Sequence, residues 1–334
     1  MKVAVLAPVA WRTPPRHYGP WEQMASNVAE GLVAAGHAVT LFATADSVTS
    51  GTLAAVVATG YEEDRTQDAK VLECLHISHL MEQAGQFDII HNHFDFLPLT
   101  YSRLIETPMV TTIHGFSSAR ILPVYEKYAA TAAYVSISHA DRSPRLPYVA
   151  TVYNGLRVPD FTFVEQPEDY LLFFGRIHPD KGTAEAIQIA QQSGRRLFIA
   201  GIIQDQAYFN EKVEPHLSDT VVFLGHAGPA RRNQLLGNAA ALLHPIRFEE
   251  PFGLSVAEAQ LCGTPVVAFA RGAMPELIQP NQTGFLAGSV GEAVEAVRQL
   301  SGISRAVCRD WAAATFSQEK MVADYLAVYR RVVG

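Results

Sequence analysis

Along this chain short, uninterrupted apolar runs alternate with longer stretches whose apolar residues recur every three or four positions. The runs at residues 2–7, 38–43, 53–58, 88–91, 109–113, 133–137 and 148–153 read as strands, and residues 21–35 and 67–83 read as helices. Residues 157–169, with Pro159 and Pro167 and no periodicity, form a linker. Beyond it the alternation restarts, with strands at 170–174, 196–200, 220–224, 241–244 and 265–269 and helices at 181–193, 205–214, 229–238 and 253–261. The tail, 317–332, is an amphipathic helix with Met321, Tyr325, Val328 and Tyr329 on one side. Apolar runs without polar alternation suit parallel strands covered on both faces, so the order predicts two doubly wound α/β domains, 1–158 and 159–316.

Size and charge narrow the classes. A chain of 334 residues exceeds what one hydrophobic core usually supports, in keeping with two domains of roughly 150 residues each. The net charge of -7 and the lack of any Lys/Arg block argue against nucleic acid as a partner. Residues 1–160 carry 11 Lys/Arg against 15 Asp/Glu, and the helix at 21–35 has no basic residue, which disfavours stable docking on an anionic membrane. Cys74, Cys262 and Cys308 are odd in number, widely spaced and free of any C-x-x-C pair, as expected of buried thiols in a reducing compartment. The opening apolar run is too short for a signal peptide, and no run reaches the ~20 apolar residues of a membrane span, so a soluble cytoplasmic protein is expected.

The chemistry concentrates at residues 241–267, which read as strand, loop, helix, turn, strand. A helical step from Gly253 puts Leu254, Ala257, Glu258 and Leu261 on one inward stripe, so a carboxylate sits among core positions. Burying it is unfavourable unless donors meet it, and a pair of ligand hydroxyls could supply two. Glu250 lies in the loop after the preceding strand, where parallel sheets bind ligands, and the amides of Phe252, Gly253 and Leu254 open a helix N-terminus suited to an anion. By itself the pattern is equally consistent with a satisfied core acid and a solvated loop charge.

Glu250-Pro-Phe-Gly-Leu-Ser-Val-Ala-Glu258, followed by Cys262-Gly-Thr-Pro-Val-Val267, resembles the E-x7-E signature of the family 4 retaining glycosyltransferases. Phe174-Gly-Arg-Ile-His-Pro-Asp-Lys-Gly182 is similar to that family's Gly-Arg-x4-Lys-Gly, Gly36-His-Ala-Val39 to its Gly-His-x-Val, and Asn154-Gly155 to its domain junction. The resemblance implies the GT-B fold, two Rossmann-like domains facing each other across a cleft, with the acceptor on the first, the nucleotide sugar on the second, and the tail helix 317–334 packed back on the first. It implies that Glu258 holds the ribose hydroxyls and that Glu250, with the amides of Phe252, Gly253 and Leu254, addresses the sugar and phosphate. Arg176 and Lys181 would grip the leaving diphosphate, and His114, after the strand at 109–113, would reach the transferred sugar. Phe223-Leu-Gly-His226 resembles the segment passing the nucleobase. Relatives commonly carry two glycines where this chain has Gly19-Pro20, so only Gly19 carries over as backbone approaching phosphate.

Trp11, Arg16, His17 and Tyr18, in the long loop before the first helix, are candidates for acceptor contacts, since aromatics and Arg in such loops suit sugars or aglycones. His91, His93 and His114 raise the question of a metal, but no helical ligand spacing accompanies them, and alternation along a strand explains His91 and His93 pointing alike. With no D-x-D triplet either, no metal and no cofactor are expected, the nucleotide sugar being a co-substrate. The expected reaction moves a sugar from a nucleotide-diphosphate donor to a hydroxyl of a soluble small-molecule or saccharide acceptor, with the anomeric configuration kept. A dehydrogenase would need a G-x-G turn, which is missing. A sugar-nucleotide epimerase of the same fold, or a non-catalytic nucleotide-sugar binder, remains the alternative.

Overall fold

The apolar runs become parallel strands with helices on both faces. The computed structural model describes residues 1–116 and 118–334, and the chain divides into Met1–Leu156 with Gln318–Gly334 as one unit and Arg157–Ser317 as the other.

In the first unit β1 (Lys2–Leu6), β2 (Ala38–Phe42), β3 (Thr52–Ala54), β4 (Ile89–Asn92), β5 (Met109–Ile113), β6 (Ala132–Ser136) and β7 (Tyr148–Thr151) form one sheet in the order β3-β2-β1-β4-β5-β6-β7. Successive residues of β1 feed opposite cores, as the two-residue strand period requires. Val3 and Val5 pack with Leu32 and Tyr329, while Ala4 and Leu6 pack with Leu80 and Tyr125. β4 and β5 are buried at every position, which is why their sequences show no polar alternation. The helix Gln318–Val333 belongs to this unit: Tyr325 Oη shares a hydrogen bond with Thr112 Oγ1 at 2.8 Å, and Gln318 Nε2 donates to the Asn27 carbonyl at 2.7 Å. Of the strand expected at 53–58 only Leu53 and Ala54 pair, within the strand Thr52–Ala54, and the helix Leu122–Tyr128 was not foreseen.

In the second unit β8 (Tyr170–Phe174), β9 (Arg196–Ala200), β10 (Val221–Phe223), β11 (Ala241–His244), β12 (Val266–Phe269) and β13 (Gly284–Ala287) run in the order β10-β9-β8-β11-β12-β13. One feature departs from the sequence reading. Residues 205–214 are not one α-helix but a turn at Gln206–Tyr208, a π-turn at Phe209–Val213 and a 3-10 turn at Glu214–His216, because Pro215 has no N–H with which to continue the ladder. Buried Arg305 donates to the carbonyls of Val164, Ala239 and Gly237 at 2.6, 2.9 and 2.6 Å and to Thr264 Oγ1 at 2.8 Å, fastening residues 157–169 to the sheet through Val164. β13 and the helices Val290–Arg298 and Arg305–Phe316 complete the unit between the strand at 265–269 and the tail helix, where the sequence reading assigned no element.

Candidate active site

Each sheet reverses its strand order once, between β1 and β4 in the first unit and between β8 and β11 in the second. Loops leaving neighbouring strands at such a point diverge to opposite faces and open a crevice at the carboxyl ends, the place where open α/β sheets take ligands.

In the second unit the loops after β8 and β11 meet. Gly182 adopts φ 76°, and a Cβ there would lie 1.9 Å from the Pro245 carbonyl oxygen, so only glycine permits this approach of one loop to the other. The contact brings Lys181 Nζ into an ion pair with Glu250 Oε2, both side chains largely buried, and Nζ also stands 4.6 Å from the centre of the Phe248 ring. His244, the last residue of β11, is buried with Nε2 3.8 Å from Glu250 Oε2. Burial lowers its pKa to about 4 against the opposing pull of Glu250, so the imidazole is neutral at pH 7 and Lys181 is the cation that Glu250 meets. Arg176, on the same loop as Lys181, donates to the Gln204 side chain and remains partly exposed.

The helix Leu254–Leu261 begins here without a side-chain cap, and Gly253, at φ 98°, is its N-cap. Backbone N–H groups in the first turn of a helix have no intrahelical acceptor and carry the positive end of its dipole. The Phe252 side chain turns away, meeting Phe316 edge-on at 5.7 Å between ring centres, so its part in the crevice is its backbone. The helix is buried all round from Val256 to Leu261, not along one stripe as its periodicity predicts, because the rest of the unit encloses it. Glu258 is 5% exposed, and its carboxylate meets Arg232 Nη1 at 3.2 Å. Burial pushes its pKa up and Arg232 opposes this. Phe223 ends β10, and the carbonyl of Gly225 takes the Gly201 amide at 2.9 Å.

In the first unit a cavity of about 500 Å³ lies at the carboxyl ends of β1 and β4. Trp11, Tyr18 and Gly19 line it, together with Trp21, Glu22 and Phe94. Gly19, at φ 150°, is the N-cap of the helix Pro20–Ala34, and a Cβ there would meet Glu22 Oε2 at 2.8 Å and Pro15 Cβ at 3.0 Å. Glu22 is 3% exposed, accepts the Trp11 amide at 3.3 Å, and is pushed up to about 7 by burial, with the nearby Glu63 adding to the shift. Arg16 and His17 are not among the lining residues. Arg16 instead reaches Asp46 at 3.1 Å and Glu63 at 3.2 Å, and His17 is exposed.

His114 follows β5 and does not line the cavity, but it stacks on Trp21, which does, at 5.7 Å between ring centres. Its Nε2 meets His93 Nδ1 at 2.9 Å. His91 is committed to Thr112 Oγ1 at 2.7 Å and Tyr329 Oη at 2.6 Å, so the three histidines are joined to hydroxyls and to each other. Desolvation lowers His91 and His114 to about 3, and His93 well below the ordinary imidazole value, which leaves all three neutral at pH 7. Among the described residues no group of three or more His, Cys, Asp or Glu side chains has the arrangement of a metal site. Nor is any helix among them long and apolar enough to cross a membrane.

Sequence reasoning did not place Glu22, Arg232 or His244 at a candidate site, and it weighed His93 only as a metal ligand. His244 had a visible signal, a polar residue closing an otherwise apolar strand, as did Glu22, an acid beside the one glycine carried over. Arg232 had none, since its approach to Glu258 depends on how two helices pack.

Two family descriptions match the chain in tandem: Glycosyltransferase Family 4 over residues 22–156 and Glycosyl transferases group 1 over residues 160–311. The chain belongs to the family 4 glycosyltransferases. A family member from Mycobacterium bovis, D-inositol 3-phosphate glycosyltransferase, is 34% identical over 187 residues, a stretch that takes in 50% of this chain and 38% of that protein. Less than half the length of that curated relative is therefore matched. Among solved structures, AviGT4, a glycosyltransferase involved in avilamycin A biosynthesis, is 25% identical with a TM-score of 0.76, covering 100% of this chain and 98% of its own. Anabaena Alr3699/HepE in complex with UDP and glucose is 18% identical with a TM-score of 0.74, over 99% of this chain and 100% of its own. The two Rossmann-like units are thus those of the GT-B glycosyltransferase fold.

Proposed function

We propose that this family 4 protein transfers a glycosyl group from a nucleotide-diphosphate sugar, bound by the second unit, to a hydroxyl of a soluble small-molecule or saccharide acceptor. The observation that carries this reading is the crevice at β8 and β11, where Lys181 stands against Glu250 beside the opening amides of the helix Leu254–Leu261. The related fold of Alr3699/HepE, whose structure holds UDP and glucose, supports a uridine or similar nucleotide as the donor's carrier.

A diphosphate entering there would share Lys181 with Glu250 and take Arg176 in place of Gln204. As the bond between the anomeric carbon and the phosphate oxygen breaks, the growing charge on that oxygen would be met by Arg176, Lys181 and the amides of Gly253 and Leu254. Donors placed in advance around a developing charge are usually the largest catalytic contribution. Glu258, held by Arg232, would accept both ribose hydroxyls. Retention follows if the acceptor oxygen attacks on the face the phosphate leaves: the C–O bond to the acceptor forms, and the hydroxyl proton passes to the departing phosphate oxygen. Neither glutamate then serves as nucleophile or base, and no metal enters.

Thermal shift in excess EDTA tests the reading, because a ligand that binds only the folded chain raises the melting temperature with its concentration. One nucleotide diphosphate and its sugar should raise it, and Lys181→Met should abolish the rise. Failure of every nucleotide sugar at millimolar concentration would sink the proposal, and isomerisation of donor incubated alone would turn it to an epimerase.

A further inference from the structure

The cavity of the first unit has a one-sided chemistry. Glu22, Glu73 and Asp95 line it, and among the described residues no Lys, Arg or His does. Arg16, the nearest loop cation in sequence, is held by Asp46 and Glu63. Asp95 is engaged by the Tyr125 hydroxyl and Glu73 by that of Tyr61. Glu22 is different: it is almost wholly buried, forms no ion pair among the described residues, and is met only by backbone amides, those of Trp11 and of Glu22 itself. A buried carboxylate left this way is unfavourable unless a cation or further donors arrive with a ligand. The remaining walls include the rings of Trp11, Tyr18, Trp21 and Phe96, whose electron-rich faces attract cations and cover the apolar face of a saturated ring. An anion would meet three carboxylates and, among the described lining residues, no cationic side chain to set against them, leaving it the first-turn amides of the helix Pro20–Ala34, of which Glu22's is already taken by its own carboxylate.

We propose that this cavity seats an acceptor carrying a protonated amine, an amino sugar or aminocyclitol, with its ammonium against Glu22, its hydroxyls toward Glu73 and its apolar face on the aromatic rings. The proposal rests on the reading that the first unit receives the acceptor, and it excludes phosphorylated rings.

The test compares three probes alike in shape and unlike in charge, glucosamine, glucose and glucose 6-phosphate, titrated into the full chain without donor and followed by ligand-observed NMR. Glucosamine should bind about tenfold more tightly than glucose, the equivalent of one charge-assisted hydrogen bond, and glucose 6-phosphate should bind most weakly. Glu22→Gln, similar in shape and uncharged, should bring glucosamine down to the level of glucose. Glu73→Gln, at a half-buried position that folding tolerates more readily, should weaken all hydroxylated probes together and keep their order. Glucosamine binding no better than glucose, phosphate ester binding equal to either, or an undiminished amine preference in Glu22→Gln would overturn the proposal. Since no donor is present, these outcomes stand apart from nucleotide binding by the second unit, which tests the transfer reaction itself.

Discussion

The two crevices sit at the same topological place in their sheets and have opposite chemistry. At β8 and β11 two cations share one loop, one of them paired to a glutamate, and a helix opens with its amides toward the ligand side. At β1 and β4 the wall is acidic and aromatic, and among the described residues no cation pairs with the buried Glu22. The strand order that makes a crevice does not decide what enters it; the loop residues do. A single architecture used twice therefore yields one crevice with two cationic side chains and one whose charged side chains are acidic.

The largest effect should come from removing a cation from the first of these pockets. Lys181→Met should lower the rate of transfer at saturating donor on the order of 100-fold or more, as loss of one preplaced donor to a developing anion does; a decrease below threefold would show that the crevice does not handle the leaving group. Next, Arg232→Met leaves Glu258 buried without its cation, so its pKa rises further and the carboxylate is protonated over a wider range. Donor affinity, read by calorimetry, should fall about tenfold near neutral pH and recover as pH rises, while Arg232→Lys recovers part of it. A pH-independent loss would mean that Arg232 acts by packing alone.

In the other pocket the sign reverses, since Glu22 is raised from 4.5 to about 7. The folded chain then holds a proton that the unfolded chain releases between these values, so stability falls as pH rises from 4.5 to about 7 and is level above. Glu22→Gln should remove this slope and stabilise the protein by about 3 kcal/mol above pH 7, read from denaturant midpoints. An unchanged slope would show that Glu22 already has a partner. Least affected should be Arg16→Ala: its ion pairs are exposed, so the stability change should stay under about 1 kcal/mol by the same measurement, and binding in the cavity should be unaffected.

How much of this was legible in the sequence varied with the physics involved. The strands at 109–113, 170–174, 196–200 and 241–244 could be read to the residue, because burial on both faces leaves a continuous apolar run with polar neighbours. Arg176, Lys181 and Glu250 were legible as loop residues at the carboxyl ends of such strands. The ion pair between Lys181 and Glu250 was not, because it depends on Gly182 lying against Pro245. Residues 205–214 misled because apolar periodicity outweighed Pro215. Arg16 and His17 were grouped with Trp11 and Tyr18 because aromatics and Arg in one loop suit sugar contacts, yet Asp46 and Glu63, from other loops, take Arg16 away from the cavity.

The helix Gln318–Val333 gives the chain an order of assembly. Tyr329 fills the first unit's core and bonds His91 in its central strand, yet it follows the whole of the second unit in the chain. The second unit is continuous in sequence and can close on itself while translation proceeds, whereas the first waits with an open groove over β1, β4 and β5 until the helix Gln318–Val333 has been made. Loss of that helix would therefore injure the unit whose strands precede the second unit in the chain.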